Sequence, residues 1–407
     1  MSSRRIIPLQ PAPARPAAVE QAARPQLSAP PPLTLYVHFP WCVRKCPYCD
    51  FNSHTPRAGG VPEATWVDAV IADLQAALPQ VWGRRVHSLF IGGGTPSLMS
   101  ARTLDHLLSA IRMLLPLDPL AEITLEANPG TVEAERFRDF RAAGVNRLSL
   151  GIQSFDDAML SRIGRIHDGH EARRAVEIAL ANFERVNLDL MYALPQQTPQ
   201  QALADLDTAL AFGVGHLSAY HLTLEPNTPF AHSPPPLPDD DVAADMQEAI
   251  EARLAAAGYL HYETSAFARP GQQCVHNLNY WQFGDYLGLG PGAHGKLSSH
   301  EGILREMRHK HPTRYLEGAA RGDFVHEARE VGVDELPFEF MMNALRLCGG
   351  FAPALFAART GLALETIATE LRLARERGLL ELSAELIRPT TQGRRFLNDL
   401  LQLFLRD

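Results

Sequence analysis

Residues 33–51 read LTLYVHFPWCVRKCPYCDF, and the rest of the chain is best read outward from them. The first seven, rich in β-branched, aromatic and aliphatic residues, predict a strand that stops before Pro40. The chain then enters a loop with Cys42, Cys46 and Cys49 in C-x3-C-x2-C spacing. Cysteine thiolates are the usual ligands of iron–sulfur clusters, and a cubane held by three of them keeps one iron open to a chelating ligand. Two other readings stand beside this one: a zinc site completed by His38 or His54, or three unrelated buried thiols. Cys274 and Cys348 have no neighbouring cysteine and read as buried structural residues.

Beyond the loop, strand-like and helix-like segments alternate. Further strands are predicted at 86–91, 122–126, 147–152, 186–191 and 216–224, beside the first at 33–38. Helical spacing of apolar residues marks 64–78, 103–115, 134–143, 170–183 and 200–212. Alternation with short connections implies an α/β fold with a parallel sheet. Six units suggest an incomplete (β/α)6 barrel of the TIM type, with an open doubly wound sheet as the rival. Five motifs follow predicted strand ends: the cysteine loop, GGGTP (92–96), EANPG (126–130), GIQSF (151–155) and LDLMYALP (188–195). If the six loops share one rim, these residues converge on one site.

The bulk properties exclude little but point one way. The chain has 407 residues, 46% of them hydrophobic, and a net charge of −8, so no strong positive field would attract nucleic acid. Five cysteines clustered as they are do not make a disulfide framework, and a reducing, cytoplasmic compartment is expected. No apolar run is long enough to span a bilayer. Residues 1–32 are rich in Pro and Ala and read as a disordered tail, leaving 33–232 as the barrel. The proline- and acid-rich stretch 233–241 opens a covering segment, 233–330, dense in aromatics, His and Gly. From 331 to 407 the pattern is mostly helical and winged-helix-like; given the charge, a structural cap is favoured over a DNA-binding module.

With the cysteine loop and the strand-end motifs in place, the chain resembles the radical SAM superfamily from about residue 33 to its end. More narrowly, it resembles the branch containing the oxygen-independent coproporphyrinogen III dehydrogenases and the HemW-type heme chaperones. The resemblance implies a 4Fe–4S cluster on Cys42, Cys46 and Cys49, binding S-adenosylmethionine (SAM) for reductive cleavage. It also implies SAM contacts from Tyr36, Tyr48, Gly92, Gly93, Gly94, Thr95, Glu126, Gln153, Arg165 and Asp189. Residue chemistry agrees in part: glycines let a backbone approach a ligand, Arg165 offers a fork of donors, and Asp189 in an apolar strand would be costly to bury without a partner.

Three features separate the branches. The dehydrogenases carry a fourth cysteine where Phe51 stands here, and a substrate-associated segment where this chain has its Pro/Ala-rich tail. His276-Asn277-Leu278-Asn279-Tyr280-Trp281 fits the HNxxYW signature of the heme chaperones. Histidine is a common axial ligand of heme iron, and aromatics offer a flat apolar wall. The resemblance therefore implies heme binding at His276, Asn277, Tyr280 and Trp281, with His294 in GPGAHG as another candidate ligand or simply part of a Gly-rich turn. The expected function is a heme chaperone that delivers heme to acceptor hemoproteins, chiefly membrane respiratory enzymes. It would be cytoplasmic, peripheral at the membrane during delivery, and compatible with a cluster-dependent homodimer. The alternative is the dehydrogenase itself, converting coproporphyrinogen III to protoporphyrinogen IX in porphyrin biosynthesis. A zinc-stabilised DNA-binding protein is the third and weakest reading.

Overall fold

The structure, a computed structural model, describes residues 27–56, 59–131 and 134–406; most of the expected disordered tail lies outside them. β1 (Leu33–Phe39) turns Leu33, Leu35, Val37 and Phe39 into a hydrophobic core on one face, while Tyr36 on the other face stacks on Phe90 at 6.3 Å. Five more βα units follow. α1 (Glu63–Val81) leads to β2 (Val86–Gly93), α2 (Ala101–Leu114) to β3 (Leu117–Ala127), and α3 (Ala134–Ala143) to β4 (Arg147–Gln153). Then α4 (Asp157–Arg162) and α5 (Gly169–Asn182) precede β5 (Arg185–Tyr192), and α6 (Pro199–Ala211) precedes β6 (His216–His221). Local signals start these helices where they do: Ser100 caps α2, while Asp168 with Glu171 and Thr198 with Gln201 form capping boxes on α5 and α6.

β1 to β6 are parallel and lie side by side in chain order. A doubly wound sheet reverses its order at a switch point; this one never does, so the partial barrel holds and its rival falls. With right-handed crossovers, a monotonic order puts every helix on one face. Val67, Leu104, Phe137, Val176 and Leu206 of those helices accordingly share one core with the outward side chains of the strands. The inner face is polar, and the strand C-termini open onto it.

The segment 233–330 belongs to the same sheet. After α7 (Pro229–His232) and α8 (Asp240–Ala256), β7 (Leu260–Glu263) and β8 (Ala266–Ala268) add to the β6 edge. α9 (Val275–Trp281) carries the HNLNYW motif into β9 (Asp285–Leu289), which pairs in parallel with β1. β10 (His294–Ser298), β11 (Ile303–Arg308) and, after α10 (Pro312–Ala319), β12 (Val325–Glu330) extend that edge antiparallel, giving a 12-stranded sheet. β9, β10 and β11 are not visible in the sequence because they bury charge. Lys296 is 1% exposed on Asp285, and Arg308 is 2% exposed between Asp73 and Glu306.

A second core, around Phe340, Phe356 and Leu371, gathers the C-terminal elements. These are α11 (Leu336–Ala344), α12 (Pro353–Thr360), α13 (Ala368–Glu376), the hairpin β13 (Leu380–Leu382) and β14 (Ile387–Pro389), then α14 (Thr391–Arg395) and α15 (Leu397–Gln402). Among the described residues no helix is long and apolar enough to cross a membrane.

Candidate cluster and cofactor site

Cys42, Cys46 and Cys49 line one cavity at the C-terminal rim of the barrel, together with the ends of β2 to β5. The loop is held from three sides. Two backbone bonds tie the loop back to its start, Cys42 N to His54 O and His54 N to Pro40 O. The Thr95 hydroxyl donates to Cys42 Sγ at 3.4 Å, and Arg165 Nη1 lies 3.8 Å from Cys46 Sγ. Burial raises the Cys42 and Cys49 thiols above their ordinary pKa, so thiolates here need a metal or a cation to favour them.

Arg165 also donates to Asn128 Oδ1 (2.7 Å) and Gly151 O (2.6 Å), which fixes its guanidinium over the cavity. Its Nε is buried without a partner. Glu126, at the end of β3, accepts from Gly93 N at 3.0 Å. Burial first, and Asp189 second, push its carboxyl up to about 8. Asp189 accepts from Asn187 Nδ2 (2.8 Å) and Ser149 Oγ (3.2 Å) with no cation bonded to it, and burial raises its pKa as well. Two glycines are required by close approach. A Cβ on Gly93, whose φ is +115°, would come within 2.6 Å of the His38 ring. One on Gly151 would meet Asn128 Oδ1 at 2.9 Å. Gln153 holds a positive φ of 68° where β4 ends.

These residues fit a cluster and a small chelating ligand. Among the described residues no three His, Cys, Asp or Glu side chains converge as a single metal ion requires, yet the three thiols share a cavity, as separate corners of a cubane would. For the zinc alternative, His38 has no nitrogen to spare, since its Nε2 donates to Asn52 O (2.8 Å) and its Nδ1 accepts from Tyr36 OH (2.9 Å), and one nitrogen of His54, Nε2, is bonded to Asn52 Oδ1 (3.1 Å). Of the expected SAM contacts, Tyr48, Gly93, Gly94, Thr95, Glu126, Gln153, Arg165 and Asp189 line the cavity. Gly92 lies behind it, where a Cβ would meet Glu126, and Tyr36 faces a neighbouring cavity instead. Asn128 and Gly151, which fall within the EANPG and GIQSF motifs but are not among the expected contacts, also line the site, as does Ser149, which lies outside those motifs.

The neighbouring cavity, about 580 Å³, shares Lys45, Phe51, Gly93 and Glu126 with the first. Tyr36, Tyr280 and Tyr286 wall it, and His38, Asp50, Asn52, His294 and Lys310 also line it. Of the HNLNYW motif, Tyr280 reaches this space. His276 is 2% exposed behind it, stacked on Phe90 (5.0 Å) and edge-on to Tyr280 (4.8 Å). Its Nδ1 is bonded to Ser88 Oγ (3.1 Å), its Nε2 is buried without a partner, and burial lowers its pKa to about 3. Its ring does not line the cavity. Asn279 ties the motif to β1 and β9 through Thr34 Oγ1 (3.2 Å) and Asp285 O (2.8 Å). Asn277 is half-buried, and Trp281 packs under Arg346.

Comparison with known proteins agrees with this geometry. A sequence profile for the radical SAM superfamily matches residues 36–209, and one for the HemN C-terminal domain matches residues 333–396. The chain is 49% identical over 379 residues to the heme chaperone HemW of Escherichia coli (strain K12), covering 93% of this chain and 99% of that protein. It is 48% identical over 383 residues to the heme chaperone HemW of Haemophilus influenzae, with the same coverage. Among solved structures, coproporphyrinogen III oxidase (HemN) from Escherichia coli, a radical SAM enzyme, matches with a TM-score of 0.78 at 23% identity, over 92% of this chain and 90% of that one. At that identity the likeness speaks to the fold.

Proposed function

Because the chain belongs to the heme chaperone HemW family of the radical SAM superfamily, we propose that it binds heme and delivers it to acceptor hemoproteins, membrane respiratory enzymes among them. Superfamily membership implies a 4Fe–4S cluster and SAM. The observation that carries the functional reading is the near-full-length relationship to curated chaperones. Phe51, at the position of the dehydrogenases' fourth cysteine, weighs against the dehydrogenase.

Cys42, Cys46 and Cys49 would hold the cluster, with Thr95 and Arg165 meeting negative charge on sulfur. When bound, such a cluster would supply the electron for reductive cleavage of SAM. Gly93, Gly94, Glu126, Gln153, Arg165 and Asp189 would orient SAM, Arg165 suiting a carboxylate and the two acids suiting hydroxyl or ammonium groups. Tyr48, a cavity-lining aromatic, would shield it from water. The HNLNYW segment would build the inner wall of a heme cavity, Tyr280 directly and His276 from behind. In this reading 33–232 is the cofactor barrel, 233–330 supplies the heme wall and 331–407 is a cap. The protein would work in the cytoplasm and be drawn to the membrane by its acceptors.

The test is a titration of heme into anaerobically reconstituted protein, run beside an assay for coproporphyrinogen III decarboxylation. Saturable heme binding with negligible product supports the proposal. Robust product without heme binding overturns it in favour of the dehydrogenase.

A further inference from the structure

Three imidazoles stand at or beside the 580 Å³ cavity, and the structure distinguishes them by what their nitrogens already do. His38 has none to spare: one nitrogen donates to Asn52 O and the other accepts from Tyr36 OH. His276 is sealed behind Phe90 and Tyr280, and one nitrogen is bonded to Ser88. His294, at the start of β10, lines the cavity with an exposed side chain that makes no hydrogen bond or ion pair among the described residues.

The surroundings of His294 suit a flat, dianionic, apolar ligand. Tyr280 and Tyr286, 4.3 Å apart between ring centroids, join Tyr36 as aromatic walls, and Phe51 stands 59% exposed at the rim. Lys310 and Lys45 bring two ammonium groups to the same space, against the carboxylates of Asp50 and Glu126, the latter kept largely protonated at neutral pH by burial. The volume lies in the usual range for sites that enclose a cofactor-sized molecule. We propose that this cavity is the tetrapyrrole site, with His294 as the iron ligand, Lys45 and Lys310 on the propionates, and His276 packed behind the wall, outside the cavity and not a ligand.

The backbone supports the assignment. Asn52 of the cysteine loop donates from its Nδ2 to Pro291 O (2.9 Å) and Lys310 O (2.8 Å), the chain on either side of His294. The loop that would carry the cluster therefore also fixes the frame of the proposed iron ligand, and Lys45, Asp50 and Phe51 form one side of its cavity.

The inference rests on the heme-binding reading, so the experiment separates the two. Full-length, anaerobically reconstituted protein is titrated with hemin while the Soret band and the axial-ligand signature by resonance Raman are followed. Wild-type protein is expected to show a histidine-ligated heme; no saturable binding at all would overturn the heme reading and this inference together. His294→Ala should lose the histidine signature and at least about tenfold in affinity, and imidazole added to His294→Gly should restore the signature. His276→Gln, which keeps a polar group for Ser88, should retain the wild-type spectrum. Lys310→Ala should keep the spectrum and weaken binding roughly threefold. Retention of histidine ligation in His294→Ala, with its loss in a folded His276→Gln, would overturn the assignment while leaving heme binding intact.

Discussion

Arg165 shows how one side chain can serve two bound groups. Its Nη1 faces Cys46 Sγ, its Nη2 is spent on Asn128 and Gly151, and its Nε is buried without a partner. A lysine keeps the charge and loses the fork. Arg165→Lys is therefore expected to retain iron and sulfide yet bind SAM roughly tenfold more weakly by equilibrium dialysis, the loss of a charge-assisted bond. Cys46→Ser should lose the cluster outright, read by iron content and visible absorption. Glu126 gives a pH prediction. Its carboxyl titrates near 8 when folded against an ordinary 4.5, so between those values the folded state holds a proton that the unfolded chain has released. Its contribution to stability is present below that window and is lost as pH rises through it. Glu126→Gln should flatten this slope in denaturant unfolding of the cluster-free protein. The cysteines were legible in the sequence from their spacing, and GGGTP and Glu126 from strand-end position taken together with the family resemblance. Ser149 and Asn52 were not, and Asn128 only as a member of EANPG, because a lone amide or hydroxyl gains its role only from what the fold sets beside it.

Among elements, β1 to β6 and their helices follow from periodicity: alternating inward and outward residues in the strands, one apolar stripe per helix. β9, β10 and β11 do not, because each buried charge in them is answered elsewhere. Lys296 donates to Asp285 Oδ1, Ser298 Oγ and the Phe283 carbonyl, and Asp285 also meets Arg84 at 2.8 Å. Lys296→Ala would leave that carboxylate buried with one of its two cations, at a cost of about 3–5 kcal/mol in chemical denaturation. The short helix α9 is another such element. Its motif reads as a ligand set, yet Asn279 pins it to β1 and β9 while His276 packs against β2. Asn279→Ala should lower stability by about 1–3 kcal/mol, because Thr34 and the Asp285 carbonyl lose a donor in the interior.

Across the whole molecule, the two cavities form one continuous functional face, joined by Lys45, Phe51, Gly93 and Glu126. A net charge of −8 gave no hint of the local ammonium pair, since a global sum cannot show where cations gather. The cysteine loop walls both cavities, so heme affinity should fall when the cluster is removed, measured by titrating matched preparations with and without iron. A chaperone must also release what it binds, and the rim position of His294, beside the exposed Phe51, leaves the cavity open on the side an acceptor could approach. The most direct measurement is therefore heme transfer: heme-loaded, cluster-containing protein is mixed anaerobically with an apo-hemoprotein and the acceptor's spectrum is followed. The expected result is stoichiometric appearance of the holo-acceptor with matching loss from the donor. Heme that stays on the donor, or never binds it, would contradict the account.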